Sequence, residues 1–348
     1  MPSCTGTEPR IRVEVVLDDA DRRSALHDTT FWSLRNRPKE LPAVWLYDER
    51  GSLLFEEITR LVEYYPTHCE REILLAHAAE IATRTEARTL VELGSGTSEK
   101  TTILLDALDA AGTLERFVPV DASEDVLRAA AHALGSRYRT IGIHAIVADF
   151  ERHLSALPDG ESRLIAFLGS TIGNLDPDRR ARLLAAVGER LGPGDAFLLG
   201  VDLVKDAARV EAAYNDAGGV TEAFVRNGLD ALNGQLGANF DQEKFEFVAR
   251  WDDAREWMDI GFTARSQQVV SIPGLEVEVQ FEAGEPLRLE ISAKFRRQGL
   301  ERELAAANMQ VDAWWTDSAA EFGLLLASGI PRSPPLGSPI FSDRRSVA

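Results

Sequence analysis

From residue 89 onward the chain alternates short apolar runs with longer stretches whose apolar positions recur at helical spacing. The runs fall at 89–93, 116–120, 142–148, 164–168 and 196–201, and the helical stretches between them include 100–111, 124–134 and 178–191. A run with no polar alternation suits a strand covered on both faces. Strands alternating with helices predict an α/β protein with a doubly wound parallel sheet and crossover helices. Ahead of this block, residues 10–85 mix charged and apolar positions at mostly helical spacing. After the fifth strand, 207–285 reads as helical at first and then richer in strands, at 262–272 and 275–281, and another strand follows at 287–295. Residues 1–9 and the Pro/Ser-rich 331–348 are expected to be disordered tails.

The first run of the block ends in Glu92-Leu93-Gly94-Ser95-Gly96-Thr97-Ser98-Glu99-Lys100-Thr101. This reads as a strand, a glycine turn and a helix start, which brings bare backbone up to a ligand. A dinucleotide fingerprint needs a third glycine where this chain has Glu99. The acid at Glu92 also suits a cationic or amino-bearing ligand better than a pyrophosphate. E-x-G-x-G after a first strand is the glycine loop of S-adenosylmethionine (SAM) methyltransferases. A nucleotide site and an ordinary strand–helix turn stay open as alternatives.

Other strand ends carry polar groups. Asp121 closes the second strand, about 25 residues past the turn, where a carboxylate can accept both hydroxyls of a ribose. Asp149 and Phe150 follow the third strand and offer an adenine amino group an acceptor and the base a ring. After the fourth strand, Gly169 and Gly173 bracket a loop bearing Asn174, whose amide can receive an amine or a carboxylate or can simply hold a turn. Glu290 and Ser292 are two apart on a predicted strand, so they share a face; they suit a heterocyclic N–H pair, or else form the polar face of an edge strand. The aromatic group around Tyr47, Phe55, Tyr64 and Tyr65 reads as core, although Tyr64 precedes a proline turn that can present a hydroxyl to a cleft.

Charge narrows the partners. Lys and Arg number 38 against 56 Asp and Glu, a net −18, so nucleic acid and anionic membrane surfaces are disfavoured. Cys4 and Cys69 form no CxxC unit, and the six histidines show no metal-ligand spacing, so no metal is expected. No apolar stretch reaches membrane-spanning length, and residues 1–8 lack the pattern of a signal peptide. A cytoplasmic monomer acting on a small molecule is expected.

Taken together, these residues carry a family resemblance. Tyr47-Asp48 with Gly51-Ser52, Ile58-Thr59-Arg60-Leu61, Glu63-Tyr64-Tyr65-Pro66-Thr67, the glycine turn, the loop to Leu175, the segment 202–206 and Trp314-Trp315-Thr316-Asp317 resemble the SAM-dependent, histidine-specific Nα-methyltransferases of ergothioneine biosynthesis, which form hercynine. The resemblance spans about residues 38–327. It implies a Rossmann-like class I SAM methyltransferase sheet (70–204 plus 295–330) and a second, family-specific α+β domain that binds substrate (10–69 plus 205–294). It implies SAM contacts from Tyr47, Gly94, Lys100, Asp121, Asp149 and Phe150. It implies that Asn174 and Tyr214 hold the histidine carboxylate, that Glu290, Ser292 and, through water, Tyr64 read the imidazole, and that Phe55 lines the pocket. Ile260 stands where relatives place a methionine against the imidazole, with Met258 nearby. No catalytic acid or base is expected, only orientation by Tyr47 and Asn174. A methyltransferase of another amino acid, such as tryptophan, and a non-catalytic SAM-binding module are the alternatives; Glu290 argues against the first and the intact acceptor residues against the second.

Overall fold

The apolar runs of the sequence become the centre of an eight-stranded sheet. In a computed structural model describing residues 10–17 and 19–331, its order is β1 (Ile11–Val15), β5 (Gly142–Val147), β4 (Arg116–Asp121), β3 (Thr89–Leu93), β6 (Arg163–Phe167), β7 (Ala196–Asp202), β14 (Phe322–Gly329) and β13 (Met309–Thr316). The tails expected at 1–9 and 331–348 lie, residue 331 apart, outside the described residues. All pairings from β1 to β7 are parallel, and β14 returns antiparallel against β7. This is the Rossmann-like doubly wound arrangement that the alternation predicts.

Both faces of the sheet are covered, which explains the unbroken apolar runs. Leu90, Phe117, Ile143, Leu164 and Leu198 pack into one buried cluster, while Val91, Val118, Ile146, Ile165 and Phe197 pack into the other. The two sets come from the same strands, so each strand contributes alternately to two cores.

A second, four-stranded sheet runs β2 (Lys39–Glu40), β12 (Pro286–Ala293), β9 (Trp257–Ala264) and β8 (Phe245–Asp252), and β10 (Gln268–Ile272) forms a separate hairpin with β11 (Val277–Phe281). The single strand expected over 262–272 is therefore two. β9 stops at Ala264, opposite Phe245, where its partner β8 begins and pairing runs out. The helix Val220–Leu236 lies against this small sheet, with Gly228 close to Leu289 and Arg226 over Phe262, and the helix Glu49–Ile58 packs on that helix.

Residues 10–85 also hold a departure from the helical reading. Ile11–Val15 is a strand on the edge of the large sheet, paired in parallel with β5. Ile11 and Val13 pack against the core cluster, and this period-two pattern was a strand signal. The start of the segment 10–69 thus lies with the large sheet rather than with 205–294.

Candidate active site

The glycine turn has the backbone its sequence requires. Gly94 and Gly96 sit at φ +66° and +49°, the left-handed region that a Cβ disfavours. A Cβ on Gly94 would lie 3.6 Å from the Phe150 ring, so that ring closes over the bare main chain. Phe150 in turn packs on Phe167, with centroids 5.1 Å apart. The helix expected from residue 100 begins only at Thr102, because Ser98 itself takes φ +55°.

Asp121 organises the turn from the neighbouring strand. It accepts from the Gly96 N–H with Oδ2 and from the Ser123 N–H with Oδ1, both at 2.9 Å. Burial raises its pKa, and those backbone donors oppose the rise. Asp149 lies at the next strand end, accepting from the Glu151 N–H at 2.9 Å. Glu92 sits beneath the turn, only 5% exposed, with one oxygen taking the Thr101 hydroxyl and Oε2 without a partner. Burial pushes its pKa up to about 8. Ser95 Oγ and Ser98 Oγ are likewise buried without partners among the described residues. Unpartnered polar atoms beside a bare-backbone turn fit a polar ligand there, and SAM, with its amino acid end, ribose and base, is such a ligand.

Lys100 leads from this turn to the acceptor side. Its ammonium pairs with Glu70, a fully buried carboxylate that also accepts from the Gly169 N–H at 2.7 and 3.0 Å. Gly169 and Ser170 both take positive φ, +75° and +56°. The strained Ser170 is held by its hydroxyl, which accepts from the Asp202 N–H at 2.9 Å. The short 3-10 helix Thr171–Asn174 follows. A Cβ on Gly173 would fall 2.7 Å from the Ala293 carbonyl oxygen, so only glycine lets this loop press against β12. Of the two bracketing glycines, Gly173 marks a close approach, while Gly169 serves its positive φ.

That approach brings Asn174 to Glu290. The Asn174 amide donates to Glu290 Oε1 at 2.8 Å, and the Tyr47 hydroxyl reaches the same oxygen at 3.4 Å. A bulge in β12 between Arg288 and Glu290 aims these side chains. Arg288 pairs with Asp259, on the other face, while Glu290 turns to the cavity with Ser292. Ile260 lies directly opposite Glu290 in the antiparallel register and Met258 opposite Ser292, so both apolar side chains share the cavity face. Burial pushes the Glu290 pKa up to about 7, against the opposing Tyr47 hydrogen bond and the Lys294 charge. Burial also raises Tyr47 well above an ordinary tyrosine, with the Glu290 charge adding to it.

Tyr47 is placed by the start of its helix. Asp48 caps that helix, accepting from the Gly51 N–H at 2.8 Å and from the Asn227 amide at 2.6 Å. Gly51 presses on Leu46, whose carbonyl oxygen would be 1.8 Å from any Cβ. The motif Tyr47-Asp48 with Gly51 thus fixes one tyrosine. An aromatic chain continues from it: Tyr47 to Phe55 at 5.6 Å, Phe55 to Tyr64 at 6.3 Å and Tyr64 to Tyr214 at 5.9 Å between centroids. Tyr214 Oη lies 2.8 Å from Ser292 Oγ. The six acceptor residues that the resemblance names, Phe55, Tyr64, Asn174, Tyr214, Glu290 and Ser292, therefore form one connected group with Tyr47, the residue expected to meet SAM and to orient the amine.

A family profile described as "Histidine-specific methyltransferase, SAM-dependent" matches residues 26–329. The chain belongs to this SAM-dependent, histidine-specific methyltransferase family. Its fold is accordingly a Rossmann-like class I methyltransferase sheet with a second, smaller sheet attached. The "Histidine N-alpha-methyltransferase" of Mycobacterium tuberculosis is 50% identical over 319 residues, covering 92% of this chain and 99% of that protein. The protein of the same name from Mycolicibacterium smegmatis is 51% identical over 290 residues, covering 83% and 90%. "Ergothioneine biosynthesis protein 1" of Neurospora crassa is 32% identical over 317 residues, covering 86% of this chain and 34% of that longer protein.

For a histidine-specific methyltransferase, the structure adds groups that the sequence reading missed. Phe224 packs its ring 5.3 Å from Tyr47 and 5.8 Å from Phe55. Glu70 ties the glycine turn to the loop after β6, and Asp202, Tyr65 and Lys294 form a buried network behind Tyr214. Tyr65 and Asp202 stood in the motifs at 63–67 and 202–206 without a role, and Lys294 left a signal, since Glu290, Ser292 and Lys294 alternate along one strand face. Among the described residues no helix is long and apolar enough to cross a membrane, and no group of three or more His, Cys, Asp or Glu could hold a metal ion.

Proposed function

We propose that this protein transfers methyl groups from SAM to the α-amino nitrogen of L-histidine, three times, to give hercynine for ergothioneine biosynthesis. The observation that carries this reading is the bond between Asn174 and Glu290, which joins the loop after β6 to the inserted sheet beside the glycine turn. An amide and a carboxylate from separate elements face one space, with Ser292 next along the strand. Free histidine offers complementary groups: a carboxylate, an amine and an imidazole with one N–H and one bare nitrogen. The family and its named relatives support the same substrate.

In this reading Gly94, Lys100, Asp121, Asp149 and Phe150 hold the donor. Its sulfonium supplies an activated methyl group that an amine lone pair can attack in line. Asn174 and Tyr214 take the histidine carboxylate, Glu290 and Ser292 the imidazole, and Tyr64 assists through water. Phe55 lines the pocket. Tyr47 and Asn174 orient the amine, and no residue acts as acid or base. A partly desolvated pocket disfavours the ammonium form, which has no lone pair, and orientation to an in-line approach supplies the remaining advantage. The aromatic chain from Tyr47 to Tyr214 gives favourable neighbours to the fixed cation formed by the third transfer. The residues at 205–294, with those of 10–69 that follow β1, form the substrate-binding part.

The test is to mix purified protein and SAM with each of the twenty amino acids and measure S-adenosylhomocysteine and product mass. Turnover is expected with histidine, ending at the trimethylated product. Turnover with tryptophan instead, or SAM binding without turnover, overturns the reading.

A further inference from the structure

Behind the two hydroxyls of the acceptor site lies a side chain to which the functional reading above gives no role. Lys294 is fully buried, and its ammonium is 2.8 Å from Tyr214 Oη, 2.8 Å from Ser292 Oγ and 2.8 Å from Asp202 Oδ2. An ammonium has three protons and no acceptor site, so three acceptors use it completely. A neutral amine, with two protons, would leave one of them unserved. Burial lowers the Lys294 pKa and the Asp202 carboxylate opposes that. Asp202 is itself saturated, accepting also from the Tyr65 hydroxyl at 2.9 Å and from Lys205.

The consequence falls on the hydroxyls. A serine or tyrosine hydroxyl is ordinarily free to donate or accept. Here a lone pair of each is taken from behind by a cation, and the two hydroxyls share one hydrogen bond at 2.8 Å, so one proton lies between them and the other turns away from Lys294. Besides Lys294 and Asp202, the titratable groups facing Tyr214 include Glu290 and Tyr64, the latter through a hydrogen bond between the two hydroxyls. We infer that Lys294 is a positioning residue that makes the Tyr214–Ser292 pair present its one free proton away from the ammonium, so that the site selects a ligand presenting an acceptor there: a carboxylate. This rests on the histidine reading above, since it assigns the chemistry by which that substrate is recognised.

The test compares histidine with histidinamide, whose carboxylate is replaced by a neutral amide, in wild type and in Lys294→Met. Hydrogen bonds to a charged partner predict that wild type prefers histidine by roughly 10- to 100-fold in Kd, measured calorimetrically with S-adenosylhomocysteine present. In Lys294→Met that preference is expected to shrink about tenfold or more, with KM for histidine rising much more than kcat falls and with S-adenosylhomocysteine affinity unchanged. Because the single change leaves Asp202 buried without this partner, the double variant Asp202→Asn/Lys294→Met is measured alongside and is expected to show the same lost preference. An unchanged preference in whichever variant binds S-adenosylhomocysteine normally overturns the inference, and so does failure of both to bind it, since Lys294 would then serve the fold. Failure of wild type to bind histidine overturns the functional reading instead.

Discussion

Asn174 and Glu290 are 116 residues apart in sequence, and the amide of one donates to the carboxylate of the other across 2.8 Å. Each belongs to a different sheet system, so their bond is the seam where the glycine-turn half meets the inserted half. A substrate that uses both groups must enter at this seam and exchange their mutual bond for bonds to itself.

Glu290 therefore bears on one ligand and not the other. Glu290→Ala is expected to weaken histidine binding roughly 10- to 100-fold, the range for hydrogen bonds to charged groups, while leaving S-adenosylhomocysteine binding within about twofold. Isothermal titration of each ligand checks this. Equal loss of both would mean that Glu290 shapes the whole cavity rather than the acceptor half.

The same carboxyl gives a pH signature. Burial holds its pKa near 7, so its ionised, fully accepting form grows as pH rises through neutrality. The ratio of wild-type kcat/KM for histidine to that of Glu290→Gln should climb between about pH 6 and pH 8. Deprotonation of the substrate amine affects both enzymes alike and cancels in the ratio. A flat ratio would place the Glu290 titration outside this window.

Gly173 makes the seam possible. Gly173→Ala drives a methyl group to within 2.7 Å of the Ala293 carbonyl oxygen, so the loop and β12 must separate. Overpacking of this kind costs about 1–3 kcal/mol. Thermal denaturation should show a lower Tm, and histidine KM should rise because Asn174 retreats from Glu290. A variant with the lower Tm and an unchanged KM would show that the loop relaxes without carrying Asn174 with it.

Glu92 links pH to the stability of the free protein. Its pKa rises from an ordinary carboxylate value to about 8 on folding, so the folded state retains a proton that the unfolded chain releases. Stability then falls as pH rises from about 4.5 to 8, because the unfolded state binds fewer protons there. Glu92→Gln removes this dependence. The Tm of the variant should gain on wild type by several degrees as pH is raised through that window, at about 1–2 °C per kcal/mol for a chain of 348 residues. A constant Tm difference would mean that Glu92 does not titrate there.

The large sheet was legible because its strands are buried on both faces, which leaves runs such as Leu164-Ile165-Ala166-Phe167-Leu168 with few other readings. The glycine turn was legible because Gly94 and Gly96 have a backbone reason to be there. β1 was not, since Ile11–Val15 is a short edge strand preceding a helix, and its pairing with β5 spans about 130 residues. The break after Ala264 was hidden because it is set by where β8 begins, not by a local turn signal. At the site, the acceptor residues came from family motifs, and the structure shows how they meet. Glu70 stayed out of view because an isolated charged residue in sequence reads as solvent-facing, and only packing reveals that it, like Asp202 and Lys294, is buried and paired.

The bulge between Arg288 and Glu290 has a consequence for how such a protein changes over time. One extra residue there decides which side chains of β12 line the acceptor half, while the Gly94–Gly96 turn takes no part in the choice. A single insertion, deletion or exchange along this strand can retune the acceptor and leave the methyl donor's seat untouched. Novelty in the molecule accepted is thus physically separable from inheritance of the methyl source.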